Sequence, residues 1–465
     1  MGKIASAKDE SFREYVITAS PLKVLFTVCG PLALYQAMQQ IFKIMDTLMA
    51  AHVSAGAVSA ISSLTQITSM VTALGSGLAV GGCIRISESY GQGDYEMVQR
   101  RTSTLYAGTV ILSLVVAGIL IPFATPFLKL LKTPAELIEV GVGYFRVEIL
   151  SLVLSFFNTV YVAIERSRGH ARKILNLNLA VVVIKLGLSA VFVYVFQWGV
   201  IMISVASLIS HGALTAYVLL TMPGDEGAFR FMFSAIRFDG KTVAPVLKLS
   251  YPVAAEKMLF AAGKVMVNAM SAFYGALTVG ALGISNNIGG LTTNWHSGML
   301  DGASSLISQN RGAGKYRRTE KIFWWLMAVN VGIGVIGWIS VAFSLPWLAE
   351  LFAKSKNQFD PLFCDMIIQI HRYEMLGYVT LGINSAVNAL LLGYGYAKLT
   401  MILNVARVFV FRVPVLWGLQ RFTAMGPEAA GVTMMVSNVA TGLLSLVVLV
   451  PILHRIKRQE EKESA

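Results

Sequence analysis

Asp46, Lys185 and Glu256 are ionisable side chains set inside long apolar runs. At the centre of a bilayer such a charge costs roughly 2.5 to 3.5 kcal/mol on insertion scales, so it persists with a partner or a task. The chemistry open to these groups is reversible. A carboxylate takes up H+ or a cation, and an ammonium beside it favours the charged form and can replace a bound cation electrostatically. Gln36, Gln39, Lys43 and Asp46 recur at spacings of three and four, which places them on one helical face directed at protein rather than lipid. Lys43 and Asp46, three apart, fit a local ion pair equally well. Glu256 follows Pro252 by about one turn, and Lys264 and Asn268 lie deeper in the same run. Asp301, Arg407, Arg412 and the asparagines Asn178, Asn384 and Asn404 add polar groups at similar depth. No His–Glu, Cys or Ser–His arrangement there offers a nucleophile, a metal site or an acid–base pair, so neither an enzyme nor a bound cofactor is expected.

These residues sit in twelve apolar stretches, each of about 20 residues or more, the length that spans a bilayer. They run approximately over 24–50, 57–86, 105–131, 140–164, 174–197, 199–222, 250–275, 278–307, 322–345, 363–392, 399–419 and 429–453. Of the 465 residues 55% are hydrophobic and 14% charged, with a mean hydropathy of +0.65. A polytopic, all-α membrane protein follows. The +13 net charge invites a nucleic-acid reading, but Lys and Arg gather in alternate loops instead of on one face. Arg100 and Arg101, the run Arg166 to Lys173, Arg230 to Lys248, Arg311 to Lys321 and Arg455 to Arg458 share one side. By the positive-inside rule that side, with both termini, is cytoplasmic, and the protein is an inner (plasma) membrane protein. The first 20 residues form a polar tail without the apolar core of a signal peptide. Cys29, Cys83 and Cys364 have no metal or disulfide spacing and read as packing thiols.

The chain repeats itself. At an offset of 221, Pro31 pairs with Pro252, Lys43 with Lys264, Gly77 with Gly298, Gly81 with Gly302, Gly91 with Gly312 and Gly93 with Gly314. Further on, at an offset of 226, Arg146 pairs with Arg372, Glu148 with Glu374, Asn158 with Asn384, Gly169 with Gly395 and Asn178 with Asn404. Six helices per copy return each copy to the side where it began, so the repeat is parallel. The expected organisation is a six-helix lobe over 1–222, a cytoplasmic linker over 223–248, a second six-helix lobe over 249–453 and a charged tail over 454–465. Repeated position suggests repeated structure, and Glu148 and Glu374 are expected to make a symmetric lobe-closing contact.

Pro31 and Asp46 in the first stretch, GQGD (Gly91 to Asp94) after the second, Pro252-x-x-x-Glu256 in the seventh and Arg412-x-Pro414 in the eleventh together resemble the multidrug and toxic compound extrusion (MATE) family, in its bacterial branch. The resemblance covers almost the whole chain. It implies two pseudo-symmetric lobes in a V, export of substrate by alternating access, and drive from inward H+ or Na+ movement. It also implies ion coupling at Asp46 and Glu256, hinge or structural roles for Pro31 and Pro252, and a pathway lined by the polar residues above. One position departs. Where many members carry Asn-x-x-x-Asp in the fifth stretch, this chain has Lys185 and Ser189. Lys185 then faces Asp46, as a pair broken by protonation or substrate, or as a permanent structural pair.

Lys43, Lys185, Lys264, Arg407 and Arg412 outnumber Asp46, Asp301 and Glu256. That balance points to anionic or zwitterionic organic substrates and away from a cation exporter. A monomer in the lipid bilayer, exporting small compounds in exchange for H+ or Na+, is the expectation; a flippase for an anionic lipid-linked glycan is the alternative.

Overall fold

The computed structural model describes residues 5–53, 55–126, 135–198, 201–224, 226–355 and 358–464, with side chains described outside 46–67, 127–141, 276, 354–359, 460 and 462–465. A short helix α1 (Ala7–Thr18) precedes two sets of six long helices. The first set is α2 (Pro21–Val53), α3 (Ala55–Gln92), α4 (Tyr95–Leu120), α5 (Ala135–Ser167), α6 (Ala171–Val195) and α7 (Ile201–Thr221). The second is α8 (Gly240–Ser271), α9 (Ala276–Gly312), α10 (Tyr316–Ala353), α11 (Pro361–Gly393), α12 (Ala397–Phe422) and α13 (Glu428–Ser464). The protein is an all-α polytopic membrane protein, as the hydropathy requires: in hydrocarbon a helix satisfies its own backbone.

The repeated glycines end the repeated helices. Gly93 and Gly314 have φ of 78° and 71°, and Gly169 and Gly395 have 84° and 83°. After each, the next amide closes back on the helix: Asp94 N to Ser89 O at 3.0 Å, Lys315 N to Asn310 O at 2.8 Å, and Tyr396 N to Leu391 O at 2.7 Å. This left-handed cap satisfies end carbonyls and turns the chain into the next helix.

Packing divides the chain into two compact units, residues 1–19 with 41–258 and residues 20–40 with 259–465. In the first, α5 packs on α3, α4 and α7; in the second, its repeat mate α11 packs on α9, α10 and α13. The first half of α2 belongs to the second unit, where it crosses α9 so closely that a Cβ on Gly298 would lie 2.3 Å from Ala33 Cα. One on Gly302 would lie 2.7 Å from Cys29 Sγ. The first half of α8 crosses α3 in the first unit in the same way: a Cβ on Gly77 would lie 2.7 Å from Ala254 Cβ, and one on Gly81 2.2 Å from Ser250 Oγ. Ala33 and Ala254, and Cys29 and Ser250, are themselves mates at the offset of 221. The repeat thus preserves both sides of one helix crossing.

Two segments differ from the sequence reading. The polar N-terminal stretch folds as α1, because Ser6 and Asp9 form a reciprocal capping box. It docks on the first unit: Arg13 donates to the Gly91 carbonyl at 2.8 Å, Asp9 accepts from Ala228 N at 3.1 Å, and the Tyr90 hydroxyl donates to the Asp9 carbonyl. Helix α8 starts at Gly240, inside the stretch 223–248 expected to be linker. Asp239 caps it, accepting from Thr242 N at 2.7 Å, and this bond holds its carboxyl below the usual carboxylate range.

The glycine crossings set a testable stability order. Gly81→Ala and Gly302→Ala should each lower stability by about 1 to 3 kcal/mol through overpacking. Gly283→Ala, with nothing within 4 Å of the new methyl, should be neutral or stabilising. Thermal unfolding of the purified variants in detergent decides it; equal melting of all three would remove the close-crossing argument.

Candidate functional site

The most concentrated charge at membrane depth lies in the second unit, and the backbone there is irregular. Helix α12 widens to π geometry over Arg407–Arg412, just before Pro414, whose missing N–H leaves the Val410 carbonyl without its usual helical partner. In a π turn residues five apart share a face, so both arginines point the same way. Helix α11 tightens to a 3-10 turn over Met375–Gly377, directly after Glu374. The two irregularities flank one cluster.

Asn438 of α13 is its centre. Its Oδ1 accepts from Arg407 Nε at 3.1 Å, Arg407 Nη2 at 2.7 Å and Arg412 Nη2 at 3.4 Å. Arg412 Nε also donates to Ser437 Oγ at 3.2 Å. Gly377 makes room for the asparagine: a Cβ there would lie 2.6 Å from Asn438 Cβ. Three cations surround Phe260 of α8, with Lys264 Nζ 5.3 Å, Arg407 Cζ 5.4 Å and Arg412 Cζ 5.9 Å from the ring centroid. Arg412 is 1% exposed, Arg407 and Phe260 are half-buried and Lys264 is exposed.

Glu374 supplies the counter-charge and acts electrostatically on both arginines. It is buried, accepts from the Ser285 hydroxyl and lies 3.7 Å from His371 Nδ1. His371, fully buried, also contacts Ser285 Oγ at 2.8 Å and the Tyr378 hydroxyl at 2.8 Å. Two guanidinium groups thus face one carboxylate. Two guanidinium groups share one amide oxygen, so the cluster is short of acceptors and suits a carboxylate, sulfonate or phosphate.

The other sequence candidates lie in several places. Asn384 Nδ2 donates to Asn404 Oδ1 at 3.3 Å, and Ser445 Oγ to Asn384 Oδ1 at 2.8 Å, with Asn404 three residues before Arg407 on α12. Their mate Asn178 is buried and donates to Ile174 O at 2.8 Å. Lys185 is half-buried in α6 and acts electrostatically on His211 of α7. Glu256, Asn268 and Asp301 are half-buried. In α2, Pro31 and Gln36 are half-buried, Gln39 is exposed and donates to the Tyr35 hydroxyl, and Lys43 is exposed. Pro252 is buried in α8. The Asp46 side chain lies outside the described residues, and with it the Lys43–Asp46 and Lys185–Asp46 pairs.

Sequence reasoning passed over Asn438, Phe260, His371 and Ser285, and gave Glu374 a closing contact. A His and a Glu three apart on an apolar helix were the available signal. Gln40 was missed too: it is buried, donates to the Asn287 carbonyl at 2.9 Å and accepts from Asn294 at 3.0 Å.

The MatE family model matches residues 31–191 and 252–417, starting each time at one of the paired prolines. The chain belongs to the MatE family. It is a membrane transporter by family. Among relatives of this MatE protein, the probable multidrug resistance protein YoeA of Bacillus subtilis is 20% identical over 85% of this chain and 86% of its own. The multidrug export protein MepA of Staphylococcus aureus is 23% identical over 60% of this chain and 61% of its own. The fold matches an outward-facing multidrug resistance MATE transporter of the MOP superfamily with a TM-score of 0.90 at 16% identity, over 98% of this chain and 99% of that one. It also matches a MOP superfamily transporter from Pyrococcus furiosus, described as having a binding pocket of reverse polarity that suggests a different function, with a TM-score of 0.91 at 16% identity over 97% and 99%.

Asn438→Leu would strip three N–H···O contacts from the buried Arg412 and the half-buried Arg407. Stability should fall by about 2 to 5 kcal/mol, since buried charged donors are left unsatisfied, while Asn438→Asp keeps the acceptor and should fold. Melting of both variants in detergent tests this, and a wild-type transition for the leucine variant would contradict the assigned node.

Proposed function

We propose that this MatE protein is a secondary antiporter of the plasma membrane that exports small organic zwitterions and anions by alternating access, in exchange for H+ or Na+. Both termini are in the cytoplasm and the working unit is a monomer. The observation that carries the reading is the group of Lys264, Arg407 and Arg412 around Phe260, in which both arginines share the Asn438 amide oxygen. These charges cannot face lipid without a heavy cost, so the exposed side of Lys264 and Arg407 belongs to a hydrated substrate path. Phe260 gives that path an apolar wall on which a flat organic ring can lie.

Antiport needs the ion and the substrate to exclude each other, and charge sets the sign. A proton on Glu374 makes the cluster more positive, which strengthens the binding of a pure anion. For an anion the exclusion therefore comes from the conformational change. A zwitterion supplies it directly: its anionic end sits at Lys264 and Arg407, and its cationic end competes with the proton for the Glu374 carboxylate. His371 and Ser285 hold that carboxylate in place for either occupant. Asp46, Lys185 and Glu256 are proposed to couple the ion in the first unit.

Flux into proteoliposomes, with pH and Na+ gradients imposed separately, tests the proposal. Uptake of a zwitterionic amino-carboxylate probe should depend on one gradient, fall about tenfold or more in Arg407→Gln, and lose its pH dependence in Glu374→Gln. Asp46→Asn and Lys185→Asn should uncouple flux from the gradient. Transport restricted to organic cations, or flux indifferent to both gradients, would refute it.

A further inference from the structure

A second basic site lies in the first unit. The C-terminal part of α3, the start of α4 and the first turns of α8 enclose a cavity of about 440 Å³ lined by Arg85, Glu88, Arg101, Ala244, Pro245 and Lys248. Its side chains are arranged before any ligand arrives. Arg85 pairs with Glu88 at 2.5 Å and donates from Nε to the Pro245 carbonyl at 3.3 Å. Arg101 Nη1 is tied to the Arg85 carbonyl at 2.8 Å and to Ser89 Oγ at 2.5 Å. Its Nε is buried with no hydrogen-bond partner among the described residues. Lys248 is exposed across the cavity mouth.

Three cations and one carboxylate leave two positive charges in excess, in a pocket that combines guanidinium donors fixed by hydrogen bonds with an exposed ammonium. That is the arrangement that holds a phosphate: guanidinium N–H groups for direct bonds and a lysine as point charge. On α8, Leu247 and Tyr251 are 52% and 69% exposed. They lie within a turn of Ala244 and Lys248, so an apolar strip begins beside the anion pocket. An anionic phospholipid satisfies both features, its headgroup in the pocket and its acyl chains along Leu247 and Tyr251. The Lys- and Arg-rich ends of these helices are those that the positive-inside rule assigns to the cytoplasmic leaflet, where anionic lipids concentrate.

The repeat shows that the pocket is not scaffold. At the offset of 221, Arg85, Glu88 and Arg101 face Leu306, Gln309 and Ile322, and Lys248 faces Thr27. The second copy of the fold does without these charges. They sit beside the crossing of α3 and α8 at Gly77 and Gly81, which both units of the repeat share.

We propose that this pocket binds a negatively charged phosphate ester, with an anionic lipid headgroup as the source its apolar flank favours. The bound phosphate bridges Arg85 and Arg101 of α3 and α4 to Lys248 of α8 and so tightens the α3–α8 crossing. The site is separate from the transport reading and stands without it.

The full-length protein, delipidated in detergent, is titrated with short-chain phosphatidylglycerol, short-chain phosphatidylcholine and inorganic phosphate, reading Tm and bound adducts by native mass spectrometry. Phosphatidylglycerol should raise Tm and bind about tenfold more tightly than phosphatidylcholine. Lys248→Gln and Arg101→Gln should each weaken it about tenfold, while Arg455→Gln with Lys457→Gln leaves it unchanged. Because Arg101 also ties α4 to α3, the exposed Lys248 variant carries the result if Arg101→Gln does not fold. A phosphate response lost in Lys248→Gln would keep the site and make free phosphate its source. Equal response to both lipids with none to phosphate, or a phosphatidylglycerol response intact in Lys248→Gln, overturns the proposal.

Discussion

A backbone in hydrocarbon has no water to turn to, and every amide and carbonyl must find its partner inside the protein. Among the described residues twelve long helices meet that demand, and the places where it is met irregularly are informative. The π turn over Arg407–Arg412 and the 3-10 turn over Met375–Gly377 both occur at membrane depth. Each sits beside charge. The π turn places two guanidinium groups on one face, and the tight turn follows the carboxylate that offsets them. Gly377 closes the tight turn without a side chain, so that Asn438 can reach both arginines. Irregular backbone and buried charge thus have a single cause: helical geometry was relaxed where side chains from three helices had to converge.

The duplication separates frame from site. Glycines at 93 and 314, and at 169 and 395, close the same caps, and the small-residue crossing recurs with both partners conserved in kind. Glu148 and Glu374 stand at equivalent places, yet the surroundings of Glu374 are not repeated. The mate of His371 is Phe145, and the mate of Arg412 is Leu186. A carboxylate retained in both halves serves a built charge network in one of them. Repetition of a residue is weak evidence of repeated function when the residues that touch it differ.

Much of this was legible before any coordinates. Apolar lengths fixed the helices, glycine and proline registers exposed the duplication, and Lys264, Arg407 and Arg412 stood out as charges too deep for lipid. What escaped had one physical origin. Asn438, Ser285, His371 and Phe260 come from four helices far apart in sequence, and no periodicity within one helix shows which residues of another it meets. The π turn compounds this, since it rotates Arg412 away from the face that a regular helix of 3.6 residues per turn would give it. On α2, a stripe at three-and-four spacing selected Gln39, while the residue that turns inward to Asn287 and Asn294 is Gln40. One residue is about 100° on a helix, enough to exchange an exposed side chain for a buried one.

The division of α2 and α8 between the compact units has a mechanical consequence. The chain passes from one unit to the other at 19/20, 40/41 and 258/259, and two of these points lie inside continuous helices. Position 40 and position 258 are near-equivalent under the repeat offset of 221. Each helix gives its first half to a tight glycine crossing in one unit and its second half to the other unit. Any displacement of one unit against the other must therefore be absorbed by the backbone of α2 near Gln40 and of α8 near Met258, because each crossing lies within one unit. Close contacts between small residues hold these crossings by dispersion and by exclusion of lipid, and hydrogen bonds add to each: Gln40 of α2 bonds Asn287 and Asn294 of α9, and Arg85 of α3 donates to the Pro245 carbonyl of α8. The duplication has kept two such crossings.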